Sequence, residues 1–279
     1  MAQNQIGQVI NHILMTSTPS ACEHVCPHCG RTVPKIEVTI LGKKCTVQPS
    51  CHCEVQHFED EIRRMREAQI KAEIERIFPV SELGQRFEGC TFENFIIRKG
   101  TEMAFQVSQE FAENFAADKP DGVLIWGPPG NGKSHLAAAV TNCLLKKGFT
   151  VVFVTMPELL ERIRNTFNRD EPENEADLMR ALLLCDLLII DDLGAEKVTD
   201  WTQDVLLRIV DKRYRRMKSM FLTSNYEPGE LMYRLDDKGR LYDRIVEFAV
   251  PVQNKASSFR MEQGKKRISD LIRRLKGNV

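Results

Sequence analysis

The segment that leaves this chain the fewest possible folds is Gly127-Pro128-Pro129-Gly130-Asn131-Gly132-Lys133-Ser134. It satisfies G-x-x-x-x-G-K-[ST] in full, directly after the apolar run Val123-Leu124-Ile125-Trp126 and directly before a helical pattern from His135 to Lys147. Such a loop needs a strand that stops, glycines that let backbone N–H groups turn inward, and a helix whose N-terminus adds the positive end of its dipole. A loop of that kind holds phosphate. Lys133 is placed to reach the β- and γ-phosphates and Ser134 to ligate magnesium, with His135 closing the stretch expected to bind ATP.

Three further apolar runs, Val151 to Val154, Leu187 to Ile190 and Met220 to Thr223, are separated by helical patterns. Apolar on both faces, they predict buried parallel strands of an α/β domain. The run at Leu187 delivers Asp191-Asp192 at its end, where a carboxylate meets the metal, so Asp191 is a second magnesium ligand. Asp192 is a candidate to polarise the attacking water or, alternatively, a turn cap; Glu196 is a weaker candidate for the base. Thr223-Ser224-Asn225 ends the next strand, and Asn225 is the candidate sensor of the γ-phosphate, although an Asn there also suits a turn.

Six of the nine cysteines precede residue 54. Cys26-Pro27-His28-Cys29-Gly30 forms a knuckle that points two thiolates at one ion, and Cys51-His52-Cys53 supplies a second pair. Between them Ile36 to Ile40 alternates and Leu41 to Lys44 reads as a turn, predicting a β-hairpin. Zinc held by Cys26, Cys29, Cys51 and Cys53 is the expectation, with Cys22, His24, His28, Cys45, His52 and His57 as alternative ligands. No open coordination position is evident, so the metal is structural. Cys90, Cys143 and Cys185 read as small buried hydrophobes.

From Glu54 to Phe78 charged sequence carries apolar residues at helical spacing, and Pro79 stops it. The expected organisation is a zinc module over 1–55, a helical linker over 56–82 and an α/β nucleotide domain over 83–279. Asn168 to Glu175 reads as an acidic loop. Lys plus Arg equals Asp plus Glu at 39 each, so no global basic field advertises nucleic acid. Two local tracts do: Arg208 to Lys218 has six basic residues and one acidic, and Lys255 to Lys276 has eight and two. Each either tracks phosphates or forms a solvated helix face. Neither a leader-like start nor a membrane-length apolar run is present, so a soluble, cytoplasmic protein is expected.

Leu83 to Phe87, Thr91 to Phe95, the phosphate loop, Leu188 to Gly194, Thr223 to Tyr226, Gly239 to Arg244 and Ser258 to Arg260 together resemble the bacterial and phage helicase loaders, the DnaC-like and DnaI-like proteins, with the IstB transposition helpers as relatives. The resemblance spans about residues 83 to 262. It implies an AAA+ sheet of order 5-1-4-3-2, self-association with ATP between subunits, and Arg244 as an arginine finger; read from its neighbours alone, Arg244 equally suits an ion pair with Asp243 or Glu247. It also implies an N-terminal segment gripping the replicative DNA helicase and a nucleotide domain engaging single-stranded DNA. AAA+ proteins usually carry Glu where Asp192 stands, which implies slow, switch-like hydrolysis. The alternative is a transposition helper acting on double-stranded DNA.

Overall fold

The computed structural model describes residues 24–40, 42–79, 85–119, 121–166, 174–196, 199–236 and 238–276. Cys22, Leu83-Gly84 and the loop from Asn168 to Glu173 therefore lie outside the described residues. The chain divides into two compact units, Met1–Gln69 and Ile70–Val279.

In the first unit β1 (His24–Val25) pairs with β2 (Thr32–Val33) and β3 (Ile36–Ile40) with β4 (Lys43–Val47), both antiparallel. The hairpin expected from the alternation is present, with Ile36 opposite Val47 and Ile40 opposite Lys43. The helix α1 (His52–Ile77) begins where the Glu54 carboxylate accepts from the Cys51 N–H at 2.8 Å, filling one of the unpaired donors of a helix start, and ends ahead of Pro79.

The second unit is built on five parallel strands in the order β6-β7-β8-β5-β9: β5 (Gly122–Trp126), β6 (Val151–Thr155), β7 (Leu187–Asp191), β8 (Ser219–Ser224) and β9 (Ala249–Gln253). Their side chains alternate between two cores. Leu124, Leu188, Ile190, Met220 and Leu222 face one, with α5 (Met156–Asn165), α6 (Glu175–Leu184), α7 (Asp200–Arg215), α8 (Pro228–Leu235) and α9 (Arg240–Val246). Val123, Ile125, Leu187, Ile189 and Phe221 face the other, with α3 (Glu102–Glu113) and α4 (Lys133–Lys146). A short α2 (Gln85–Glu88) precedes these, and α10 (Phe259–Lys276) closes the chain. Each fully buried aliphatic side chain contributes about 2 kcal/mol, and two covered faces explain why the strands are apolar runs instead of alternating ones.

Among the described residues the largest fully buried side chain is Arg213, not a hydrophobe. Its guanidinium donates to the carbonyls of Leu182 at 2.6 Å, Cys185 at 3.1 Å, Asp186 at 3.3 Å and Ser219 at 2.6 Å. It thus closes the C-terminal end of α6 with a positive charge and ties it to the start of β8. Of the two readings of Arg208 to Lys218, phosphate tracking or a solvated helix face, neither describes Arg213. Arg213 is inside the protein, Arg208 pairs with Glu175, Arg215 with Asp211 and Lys218 with Asp186.

Replacing Arg213 by Met strands those carbonyls without a donor, so Arg213→Met is expected to cost on the order of 3 kcal/mol, read as a lower urea midpoint with the slope unchanged. Arg216→Met, next to it but exposed, is expected to cost under about 0.5 kcal/mol.

Candidate functional site

Three adjacent strands, β7, β8 and β5, end at the same edge of the sheet, and each delivers one polar segment there. The loop after β5 turns through left-handed glycines, with φ of 145° at Gly127 and 77° at Gly130. A Cβ on Gly127 would strike the Asn254 carbonyl, and one on Gly130 would strike the Ser258 hydroxyl. The loop is fixed from outside by Asn131, which donates to the Asn254 carbonyl at 2.8 Å, and by Phe259, whose N–H donates to the Gly130 carbonyl at 2.8 Å. The backbone is therefore held in the inward-turned form that a phosphate requires, and the residues present fit a nucleotide.

Lys133 lies at the first turn of α4 and is 3% exposed. Its ammonium donates to the carbonyls of Gly127 at 2.8 Å and Pro128 at 3.0 Å, and to Asn225 Oδ1 at 2.8 Å. Asn225 Nδ2 in turn donates to Asp192 at 3.0 Å. Burial pulls Lys133 down to about 8, against the raising influence of Asp192 and Asp191. Burial likewise pushes the Asp191 carboxyl upward, while the Thr223 and Ser134 hydroxyls donate to it and favour its charge. A carboxylate and a hydroxyl side by side are the hard oxygen donors magnesium takes.

Thus the structure brings Gly127 to Ser134, Asp191, Asp192 and Asn225 together. His135 stands beside them, its ring against Phe95 and its Nε2 3.0 Å from the Thr91 carbonyl. Glu196 has no bond to the cluster among the described residues. Arg244 is elsewhere: it pairs with Glu247 at 2.7 Å and Asp211 at 3.8 Å and lies over the Tyr214 ring. Sequence reasoning missed Thr223, whose hydroxyl donates to Asp191 at 2.5 Å and accepts from the Asp192 N–H at 3.0 Å, joining the two carboxylate positions. Its signal was available, two residues before Asn225 on the same strand. Asn254 and Phe259 were also missed, and no local pattern marks them because their contacts span more than a hundred residues.

In the first unit the sulfurs of Cys26, Cys29, Cys51 and Cys53 all lie within 4.8 Å of one another. Cys26 and Cys53 are 3.2 Å apart, Cys29 and Cys51 3.6 Å, and Cys51 and Cys53 3.5 Å. Zinc with four thiolates at about 2.3 Å puts sulfurs roughly 3.8 Å apart, so the set fits one tetrahedral ion. Burial opposes ionisation of Cys26, yet the Cys29 and His28 N–H groups and the Cys53 thiol donate to it, and it falls to about 7. The alternative ligands in the described residues are engaged or apart: His24 meets Glu54 at 3.2 Å, His28 stacks on His57, and Cys45 is exposed on β4.

The family of IstB-like ATP binding proteins matches residues 61–267. That stretch contains the whole phosphate-loop cluster and excludes the four cysteines. The replicative helicase loader DnaC of Buchnera aphidicola subsp. Baizongia pistaciae is 32% identical over 173 residues, 62% of this chain and 69% of that protein. The replicative helicase loader DnaC of Escherichia coli K12 is 31% identical over 157 residues, 55% of this chain and 63% of that one. The crystal structure of a DnaC helicase loader superposes with a TM-score of 0.55 at 24% identity over 62% of this chain and 100% of that one, a likeness of fold.

Purified chain is expected to carry one zinc ion, measured by elemental analysis, and Cys51→Ser with Cys53→Ser to carry none. Nucleotide affinity should be unchanged by that pair of substitutions, because the phosphate loop belongs to the other compact unit.

Proposed function

The chain belongs to the IstB-like ATP-binding protein family, and from that premise we propose that it is an ATP-dependent loader of a replicative DNA helicase. The observation that carries the reading is the convergence of Lys133, Asp191, Asp192 and Asn225 on one strand edge in a chain whose relatives include proteins named replicative helicase loaders. The zinc module, assigned to residues 1–55, grips the helicase; the linker over 56–82 connects it to the ATPase domain over 83–279. That domain engages single-stranded DNA and associates with further copies through bound ATP, in the cytoplasm.

Each residue has a task in this reading. The backbone of Gly127 to Gly132 donates to the phosphates, and Lys133 exchanges its bonds to Gly127 and Asn225 for phosphate oxygens. Ser134 and Asp191 would hold magnesium, which supplies neutralisation of phosphate charge. Thr223 keeps the Asp191 carboxylate turned toward Ser134. Asp192 orients the attacking water, and Asn225, bonded to both Asp192 and Lys133, reports whether a γ-phosphate is present. Aspartate is shorter than glutamate by one methylene, so hydrolysis is slow and the protein works as a switch. Arg244 of one copy serves the phosphates of the next.

Lys133→Ala is expected to weaken Mg·ATP binding by ten- to a hundredfold, the loss of a charged donor to phosphate, and Lys133→Arg, which keeps a buried cation, to separate that loss from any fall in the thermal melt caused by stranding the acceptors of Lys133. Light scattering on a mixture of the chain with its host's replicative helicase tests the loader reading: a complex should form, and it should fail with the zinc-free Cys51→Ser, Cys53→Ser chain. The resemblance to the IstB transposition helpers leaves a second reading, an ATP-dependent transposition helper acting on double-stranded DNA. No helicase complex in any nucleotide state, with ATP-dependent assembly on duplex DNA, would replace the first reading by the second.

A further inference from the structure

A loop that turns its N–H groups inward toward a phosphate turns carbonyls outward, and each buried carbonyl then needs a donor from elsewhere. Here the donors come from late in the chain. The Phe259 N–H donates to the Gly130 carbonyl at 2.8 Å, and Asn254 Nδ2 donates to the Asn131 carbonyl at 3.3 Å, with the Arg98 guanidinium 3.5 Å from the same oxygen. Asn131 answers Asn254 in kind, its Nδ2 donating to the Asn254 carbonyl at 2.8 Å. The two residues are 1% and 0% exposed, so each amide depends on the protein for its partners.

This pair reaches the phosphate-binding cation. The Asn131 side-chain oxygen accepts from the Lys133 ammonium at 3.3 Å. An amide whose nitrogen is fixed has its oxygen fixed as well, so Asn254 decides where Lys133 finds that acceptor. Asn254 is itself pinned: its N–H donates to the Trp126 carbonyl at 2.8 Å, just past the end of β9, and its Oδ1 accepts from the Ala256 N–H at 3.3 Å. The strap beyond it is held against the segment before α3, where the Lys255 N–H donates to the Gly100 carbonyl at 2.9 Å and Arg98 donates to the Ser257 carbonyl at 3.1 Å. A Cβ on Gly100 would lie 2.8 Å from the Ala256 nitrogen, so backbone passes backbone there with no side chain between. Two apolar side chains would fill the space of the amide pair without desolvating polar groups, so what the pair adds is direction.

We propose that Asn254 is a positioning residue for phosphate binding: through its reciprocal bonds with Asn131 it holds the loop in its inward-turned form and fixes the Lys133 ammonium within it. The inference rests on the reading of this loop as an ATP site and gives the end of β9 a share in nucleotide affinity.

Titration of each chain with Mg·ATP, beside its thermal melt, is the measurement. Asn254→Ser keeps an acceptor for the Ala256 N–H but is too short to reach the Asn131 carbonyl, and Asn131→Ala removes the other half of the pair. Each should weaken Mg·ATP binding about tenfold, the loss of one buried bond that directs the site. The double variant should bind within about twofold of Asn131→Ala, because Asn254 has no amide left to aim. Asn142→Ala, which strips donors from the Phe87 and Cys90 carbonyls on the same helix as Lys133, should lower the melt and leave affinity unchanged. Wild-type affinity in Asn254→Ser, additive losses in the double variant, or an equal loss in Asn142→Ala would overturn the positioning role while leaving the ATP site standing. Wild-type chain that does not bind Mg·ATP would overturn the ATP reading itself, and the positioning role with it.

Discussion

An ammonium group buried to 3% exposure has to be answered on every side, and the second unit is arranged around answering Lys133. Two carbonyls of its own loop and the Asn225 amide oxygen take its protons, and those acceptors arrive from β5 and β8, neighbours in the sheet. Asp191 and Asp192 come from β7, the next strand over, and supply the negative charge that keeps the lysine charged against desolvation. A parallel sheet is what makes this possible, since only parallel neighbours end their strands on the same edge. The site thus sets a cation that burial disfavours beside a carboxylate that burial disfavours. An anion on one side and a metal on the other relieve both at once, so affinity for a metal-bound phosphate is built into the desolvation of the pair.

The first unit solves a different problem. Among the described residues before α1, only Cys26 and Cys51 are buried, and the two short hairpins expose most of their side chains. So small a segment cannot be stabilised by apolar burial, and thiolate bonds from the four cysteines to one ion would replace the missing core. Cys51 and Cys53 stand at the start of α1, while Gly30 at φ 69° lets the chain turn back toward Cys26. Glu54 joins the two halves by accepting from Cys51 N–H and meeting His24.

Much of this was legible in the sequence because it is written locally. The phosphate loop, the apolar strands and the paired cysteines are each a short pattern whose geometry follows from neighbours in the chain, so Lys133, Asp191, Asn225 and the four thiols could be named from spacing alone. What escaped depends on partners far away. Arg213 sits in a run of bases that reads as a solvent-facing tract, and only the fold shows that α6 ends directly over it. Thr223 looks like one more β-branched strand residue until the neighbouring strand places Asp191 beside its hydroxyl. The basic character of α10 was visible, but which of its faces meets the domain is decided by Arg98, more than 150 residues earlier in the chain.

The role proposed for Arg244 would need it to be only weakly restrained within its own chain. Within its own chain it is shared among Glu247, Asp211 and the Tyr214 ring, and it is about one-third exposed. Ion pairs so open to solvent are worth under about 1 kcal/mol, whereas an arginine against a phosphate in a water-excluded site gains considerably more. The acids hold the guanidinium near the surface at a cost that a phosphate would readily outweigh. Glu247 is itself tied by the Tyr214 hydroxyl at 2.5 Å, so the holding carboxylate does not follow the arginine when it leaves. Weak, fixed partners of this kind are what the proposed transfer of Arg244 to a second copy would require.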